Sequence, residues 1–182
     1  MQEAKIDTFG VGERLITAKS APVFGGVYKL AAVEDEQGNI IPKIKISENT
    51  AKITNPHYKK LYRFYDNESG KALADELCVY DETIDSTKPH TIFDPDAIWK
   101  TKTLTDYTAR ELHVTVFKNG ELVYKQPSLY EIRIYCAEQL ETLWDEVKRF
   151  ENPHTYYVDL SKKLWDIKNA LLEKSKDGKG LK

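Results

Sequence analysis

The periodicity of the chain changes once, near Ser128, and that change constrains the fold more than any single motif. Before it, apolar residues alternate with polar ones or run in short β-prone stretches broken by turn clusters. After it, they recur at intervals of three and four. Alternation places side chains on opposite faces of a strand, and the longer interval places them on one face of a helix. Hairpins followed by helices read as an α+β fold.

Three turn-linked strand pairs are expected. Residues 27–33 and 40–46 flank the turn cluster Asp35-Glu36-Gln37-Gly38-Asn39. Pro42 has no donor, so the second of these strands belongs at an edge or a bulge. Residues 61–65 and 72–79 flank Asp66-Asn67-Glu68-Ser69-Gly70. Leu112, Val114 and Val116 alternate up to Asn119-Gly120, the preferred hairpin dipeptide, and Leu122 and Tyr124 continue the alternation. Residues 47–60 are polar, contain Asn55-Pro56 and read as a loop. Residues 81–106 show no period, and Pro89 and Pro95 break any helix there. They read as a long surface connection.

In the last third, Ser128 and Glu131 form a capping box. Leu129, Ile132, Cys136, Leu140, Leu143, Val147 and Phe150 then predict one apolar stripe on a helix of about six turns. Asn152-Pro153 ends it. The stripe is expected to pack on the hairpins and on a second helix. That helix starts near Asp159 or Ser161 and buries Leu164, Ile167 and Leu171. From Ser175 onward a frayed tail is expected.

Composition supports a core with a strongly charged surface: 41% of the 182 residues are hydrophobic and 31% are charged. With 27 Lys and Arg against 29 Asp and Glu, the formal charge of −2 gives no reason to propose a nucleic-acid or membrane surface. Apolar runs are too short to span a bilayer, and no signal-peptide pattern opens the chain. The two cysteines, Cys78 and Cys136, lie in unlike contexts and read as buried, reduced thiols of a cytoplasmic protein.

The chemistry concentrates at the N-terminus. Phe9-Gly10-Val11-Gly12-Glu13-Arg14 offers a tight loop whose backbone N–H groups can close on a phosphate. A lone Gly-x-Gly more often makes an ordinary turn, but Arg14, Lys19 and Lys29 nearby are the usual cationic complement. Lys43 and Lys45 would share one strand face, where solvated surface is the bland reading and contact with an anion the functional one. His57, His90, His113 and His154 have no metal-ligand spacing. No serine sits in a nucleophile elbow and no thiol lies beside a base in sequence. No complete catalytic set is present, and no metal site is expected.

Several blocks taken together resemble nicotinate phosphoribosyltransferases of the bacterial type. They are Phe9-Gly10-Val11-Gly12-x-Arg14-Leu15-Ile16-Thr17, Gly25-Gly26-Val27-Tyr28-Lys29-Leu30, Pro42-Lys43-Ile44-Lys45-Ile46-Ser47-Glu48-Asn49 and Lys52-Ile53-Thr54. Later come Pro127-Ser128-Leu129, Leu143-Trp144-Asp145-Glu146-Val147-Lys148-Arg149, Asn152-Pro153-His154 and Val158-Asp159-Leu160-Ser161-x-x-Leu164-Trp165.

The resemblance implies a C-terminal portion of such an enzyme. On that basis residues 1–30 would end an irregular α/β barrel and carry the phosphate loop. Residues 31–126 would be the β-rich part of an α/β sandwich, and residues 127–182 its C-terminal helical segment. The implied activity of the complete enzyme is synthesis of nicotinate mononucleotide from nicotinate and phosphoribosyl pyrophosphate. ATP hydrolysis through a phosphorylated histidine drives it, with Mg²⁺. The loop would hold the ribose 5′-phosphate on Gly10, Val11, Gly12 and Glu13, with Arg14, Lys29 and Lys45 as candidate anion contacts. Glu13 stands where the family more commonly has Thr, so its side chain should turn away from the phosphate. None of the four histidines matches the phosphorylated one, and no catalytic residue is assigned to this chain. The N-terminal portion of the same enzyme is the expected partner, a homodimer is a candidate assembly, and the chain alone should be inactive and bind no cofactor. A freestanding phosphate- or nucleotide-binding module, or a subunit of a split enzyme, is the alternative.

Overall fold

The computed structural model describes Thr8, Gly10, Gly12 and residues 26–176. Its centre is a four-stranded sheet. Strands β3 (Lys59–Asp66) and β4 (Ala72–Val79) form an antiparallel hairpin, with Leu61 opposite Leu77. The linking turn is built as its residues dictate. Asp66 accepts from the Ser69 backbone and hydroxyl, and Gly70 takes φ +68°, a conformation that only glycine adopts without strain. Strand β7 (Tyr107–Glu111) flanks β3 antiparallel, and β10 (Val158–Leu160) flanks β4 parallel, giving the order β10-β4-β3-β7.

Three small hairpins stand beside it. Strands β1 (Ala32–Glu34) and β2 (Ile40–Pro42) pair across the Asp35 turn, where Asp35 accepts from the backbones of Gln37 and Asn39. Strands β5 (His90–Asp94) and β6 (Ala97–Leu104) form a second pair, and β8 (Phe117–Lys118) and β9 (Glu121–Leu122) a third. Helix α1 is Leu129–Glu141, α2 is Asp145–Lys148, and α3 is Lys162–Lys176.

Each face of the central sheet carries its own core. On one face Phe64, Ala74, Ile92, Leu104 and Tyr107 pack under the β5–β6 hairpin. On the other, Val79, Leu160 and Leu164 pack under α3, flanked by Leu77, Trp165 and Ile167. Ser161 starts α3: its hydroxyl accepts from the Leu164 backbone and its carbonyl from Trp165. Leu164 is completely buried. Leu164→Ala is expected to destabilise the chain by about 2–5 kcal/mol, because the cavity between α3 and β4 cannot close. A urea midpoint within error of the parent chain would show that α3 does not seal that face.

Several expectations needed correction. The first strand pair is shorter than residues 27–33 and 40–46 suggest. Beyond Pro42 the chain departs from the ladder, so Lys43 and Lys45 do not share a strand face. Residues 81–106 are no structureless connection, since β5 and β6 lie there. The β6 residues between Ala97 and Leu104 are all exposed, so no alternation marked the strand. At Asn119-Gly120 the hairpin forms, but Leu112–Val116 lies outside any strand.

The single long helix is interrupted. Thr142 ends α1, its backbone N–H and hydroxyl both donating to the Gln139 carbonyl, and Trp144 is extended before α2 begins. The capping box is present as expected: the Ser128 hydroxyl accepts from the Glu131 backbone while the Glu131 carboxylate accepts from the Ser128 backbone. The α1 part of the stripe, however, is not packed on the hairpins or on α3, while Leu143 and Val147 beyond it are half-buried, Val147 near Ala72 and Leu73. No residue of α1 is buried. Tyr130, Ile134 and Tyr135 make the helix apolar off the stripe as well. It touches the remainder through Arg110 with Gln139 and, near Thr142, through Lys71 and the Ala72 backbone. Helix α3 runs through Ser175 to Lys176, where a frayed tail was expected. Residues 177–182 of that tail lie outside the described residues.

Candidate functional site

Of the glycine loop, Gly10 and Gly12 are described and both are exposed, while Val11, Glu13 and Arg14 lie outside the described residues. A Cβ at Gly10 or Gly12 would meet nothing within 4 Å, and neither has positive φ. Nothing within the described chain therefore requires glycine at either position. Lys29 and Lys45 are both exposed. Lys29 lies in the irregular segment before β1. Lys45 is held in the loop after β2 by its backbone, which accepts from the Thr54 N–H and donates to the Thr54 hydroxyl. No hydrogen bond among the described residues links either lysine to Gly10 or Gly12.

Strand β4 carries the densest polar cluster. Asp75, on the face of Leu77 and Val79, receives a two-pronged contact from Arg63. Nε donates to Oδ1 at 2.8 Å and Nη2 to Oδ2 at 2.9 Å. The Tyr156 hydroxyl adds a third bond to Oδ1 at 2.8 Å. Burial, then the Asp75 bond, pushes the Tyr156 phenol up, so it remains the donor.

Glu76 points to the opposite face, among Ala72, Ala74 and Cys78, and is buried. His90 Nε2 lies 2.8 Å from its Oε2, and the His90 ring stacks on Phe64. The Cys78 thiol donates to the same oxygen at 3.6 Å. Burial, reinforced by the charges of Glu76 and Glu82, holds this thiol well above its ordinary value and unreactive. Glu82 accepts from the Val79 backbone at 2.6 Å and from the Ser161 hydroxyl at 2.7 Å. The Ser161 proton therefore faces a carboxylate that is already engaged in fixing the β4–α3 junction.

Asp159 stands across from Glu76 in the β10–β4 register. Desolvation, followed by the charges of Glu76 and Asp94, pushes its carboxyl up to about 6. No sequence motif marks Asp75 or Glu76, and Asp159 stands out in the sequence only as a candidate helix start and within a family block, not as a site residue. A carboxylate at an alternation point whose same-face neighbours are alanine and cysteine, as at Glu76, is a readable sign of a buried partner.

The remaining histidines serve structure. His113 Nδ1 accepts from the Leu61 backbone, and the His154 N–H donates to the Glu146 carbonyl at the end of α2. His57 stacks on Tyr80, with its backbone at φ 79°. Cys136 is exposed, against the expectation of two buried thiols, because it lies on the uncovered α1. Among the described residues no three His, Cys, Asp or Glu side chains converge to hold a metal ion. No helix among them is long and apolar enough to cross a membrane. The cluster on β4 thus holds its charges in fixed pairs and offers no nucleophile with a free base beside it.

Comparison with known proteins places this architecture. Residues 58–168 match the family model described as nicotinate phosphoribosyltransferase C-terminal domain. The nicotinate phosphoribosyltransferase of Bacillus subtilis is 40% identical over 92% of this chain and 34% of its own length. That of Dictyostelium discoideum is 33% identical over 93% of this chain and 29% of its own length. The crystal structure of human nicotinic acid phosphoribosyltransferase superposes with TM-score 0.59 and 26% identity, over 65% of this chain and 24% of the human one. The chain spans about a third of the length of the curated relatives it matches. With its β4-centred sheet and the first half of α3 inside the matched span, this chain belongs to the nicotinate phosphoribosyltransferase family, as the C-terminal domain.

Proposed function

We propose that this chain completes a nicotinate phosphoribosyltransferase, an enzyme forming nicotinate mononucleotide from nicotinate and phosphoribosyl pyrophosphate with ATP hydrolysis in the cytoplasm. The carrying observation is the family match across 58–168 in a chain that covers a third of its relatives. The reacting groups, Mg²⁺ and ATP belong to the rest of the enzyme. The β4 cluster, with every carboxylate but Asp159 engaged, supports a supporting role for this domain and supplies no step of the chemistry.

The contribution of this chain to the site is the phosphate loop. Gly10, Val11, Gly12 and Glu13 present backbone N–H groups to the ribose 5′-phosphate, with Arg14, Lys29 and Lys45 as nearby cations. Gly10 and Gly12 support this, since neither dihedral strain nor packing against the described residues calls for glycine there. Close approach of an outside group does.

The second contribution is a docking face. Helix α1 is apolar on more than one side and buries none of its residues. A helix of that pattern belongs in an interior. The N-terminal portion of the enzyme is the occupant we assign to it, since the relatives carry twice this chain's length beyond the matched part.

The test has two arms. The purified chain, given nicotinate, phosphoribosyl pyrophosphate, ATP and Mg²⁺, should form no nicotinate mononucleotide, because catalysis needs all its groups positioned together. In the complete enzyme, Gly12→Val should raise the KM for phosphoribosyl pyrophosphate at least about tenfold, the loss of one good charge-assisted contact. Its melting temperature should hardly move, since a Cβ there meets nothing within 4 Å among the described residues. Turnover by the chain alone overturns the first assignment. A lowered melting temperature with unchanged KM overturns the second.

A further inference from the structure

The block Val158-Asp159-Leu160-Ser161 has two uses in the fold, and one of them is unaccounted for. Leu160 and Ser161 face α3, where they pack and cap. Asp159 faces the other way. It is 4% exposed, no side chain among the described residues bonds to its carboxylate, and its oxygens keep a narrow contact with solvent through the opening they face. It lines a cavity of about 200 Å³ between β10 and the β5–β6 hairpin. Leu73, Ile92, Phe93 and Tyr157 supply apolar wall, and Asp94 is the second carboxylate.

We propose that this cavity binds a small organic cation, a primary ammonium on a short apolar or aromatic stem, with Asp159 as its counter-ion. A carboxylate so largely removed from water, with no side-chain partner, is poorly solvated, and a cation delivered on an apolar stem improves its environment while the stem displaces water from the walls. The cavity lining balances two carboxylates, Asp94 and Asp159, against two lysines, Lys100 and Lys102, so the attraction is local to Asp159. Glu76 on β4 and Asp94 on β5 both act on Asp159 as like charges. Of the cations on β6, Lys100 is mostly exposed and lies 3.7 Å from Asp94, and Lys102 lines the cavity without pairing with Asp159. His90 is spent on Glu76. The volume is below the roughly 300–1,000 Å³ of drug-sized sites, which restricts the ligand to a small one. The lining includes neither Gly10 nor Gly12, and the proposal does not rest on the phosphoribosyl reading.

Benzylammonium chloride is the probe, with benzyl alcohol as its neutral match, titrated into the full chain and followed by NMR. Saturable shifts are expected at residues 92–102 and 157–159 with the ammonium and not with the alcohol. Affinity should fall roughly tenfold from pH 7.5 to pH 5, as a carboxyl titrating at about 6 loses its charge. Asp159→Asn should abolish binding and its pH dependence. This variant should also fold. A carboxyl raised from 3.8 to about 6 opposes folding increasingly as pH rises between those values, and fully above them. The melting temperature of Asp159→Asn should therefore rise at pH 7.5 and stay unchanged at pH 3. Failure to saturate at millimolar benzylammonium overturns the proposal. Equal binding of the alcohol, or undiminished binding to Asp159→Asn, does the same.

Discussion

Arg63→Ala should lower the melting temperature of this chain by about 10 °C, the largest single-residue effect expected outside the apolar cores. Asp75 has a side chain that is 6% exposed, and Arg63 is its only cationic partner among the described residues. Removing the guanidinium leaves a buried charge held by the Tyr156 hydroxyl alone. Breaking such a pair from one side costs about 3–5 kcal/mol, and each kcal/mol is worth about 2–4 °C in a domain of this size. Arg63 also lies over the Tyr156 ring, 5.7 Å from its centroid, so the truncation removes packing too. Asp75→Asn in the Arg63→Ala background should recover a substantial part of the loss, since a neutral amide no longer needs the guanidinium. Thermal unfolding of the two variants side by side checks this. A single variant that melts within 2 °C of the parent chain would mean that water reaches Asp75 and the pair is dispensable.

The second large effect concerns α1. In the isolated chain its amides should exchange with solvent quickly, because a 13-residue helix with no buried residue and only a few polar contacts near its C-terminal end is marginal in water. Leu129 and Tyr130 are 76% and 71% exposed. Each is worth roughly 1.5–3 kcal/mol on burial. Joined to the N-terminal portion of the enzyme, residues 129–141 should slow their exchange at least about a hundredfold, which needs less than 3 kcal/mol of local stability. Mass-resolved hydrogen exchange of the two forms measures it. Identical rates in both would remove the N-terminal portion as the occupant of this face.

The parts of the fold legible in the sequence are those fixed by neighbours in the chain. The Asp66–Gly70 turn, the Asn119-Gly120 turn and the Ser128–Glu131 capping box follow from local hydrogen bonding and glycine dihedrals, and each is present. The α3 start at Ser161 was readable for the same reason. The missed elements depend on contacts distant in sequence. Strand β6 is defined by pairing with β5 and buries only its ends, Ala97 and Leu104, so it leaves no alternation to read. The stripe from Leu129 to Phe150 satisfied helical spacing straight through Thr142. Spacing alone does not register that the chain turns there to place a carbonyl on the Ala72 N–H. At the candidate site, the glycine loop stood out in the sequence as a local motif, and only Gly10 and Gly12 of it lie within the described residues. The Asp159 cavity did not stand out, because its walls come from β4, β5, β6 and β10.

The parallel pairing of β10 with β4 sets a timetable for synthesis on the ribosome. Val79 must wait for Leu164, about 85 residues further on, and at ribosomal speed that delay is roughly 4–17 s. During it the β3–β4 hairpin can close, but one edge of β4 stays unpaired and its Leu77–Val79 strip stays wet. An open edge beside an apolar strip invites pairing with another nascent chain. Message damage or stalling that ends the product before Val158 therefore yields a sticky hairpin instead of a smaller stable domain. Cells making this protein have a reason to clear such products or shield them with a chaperone.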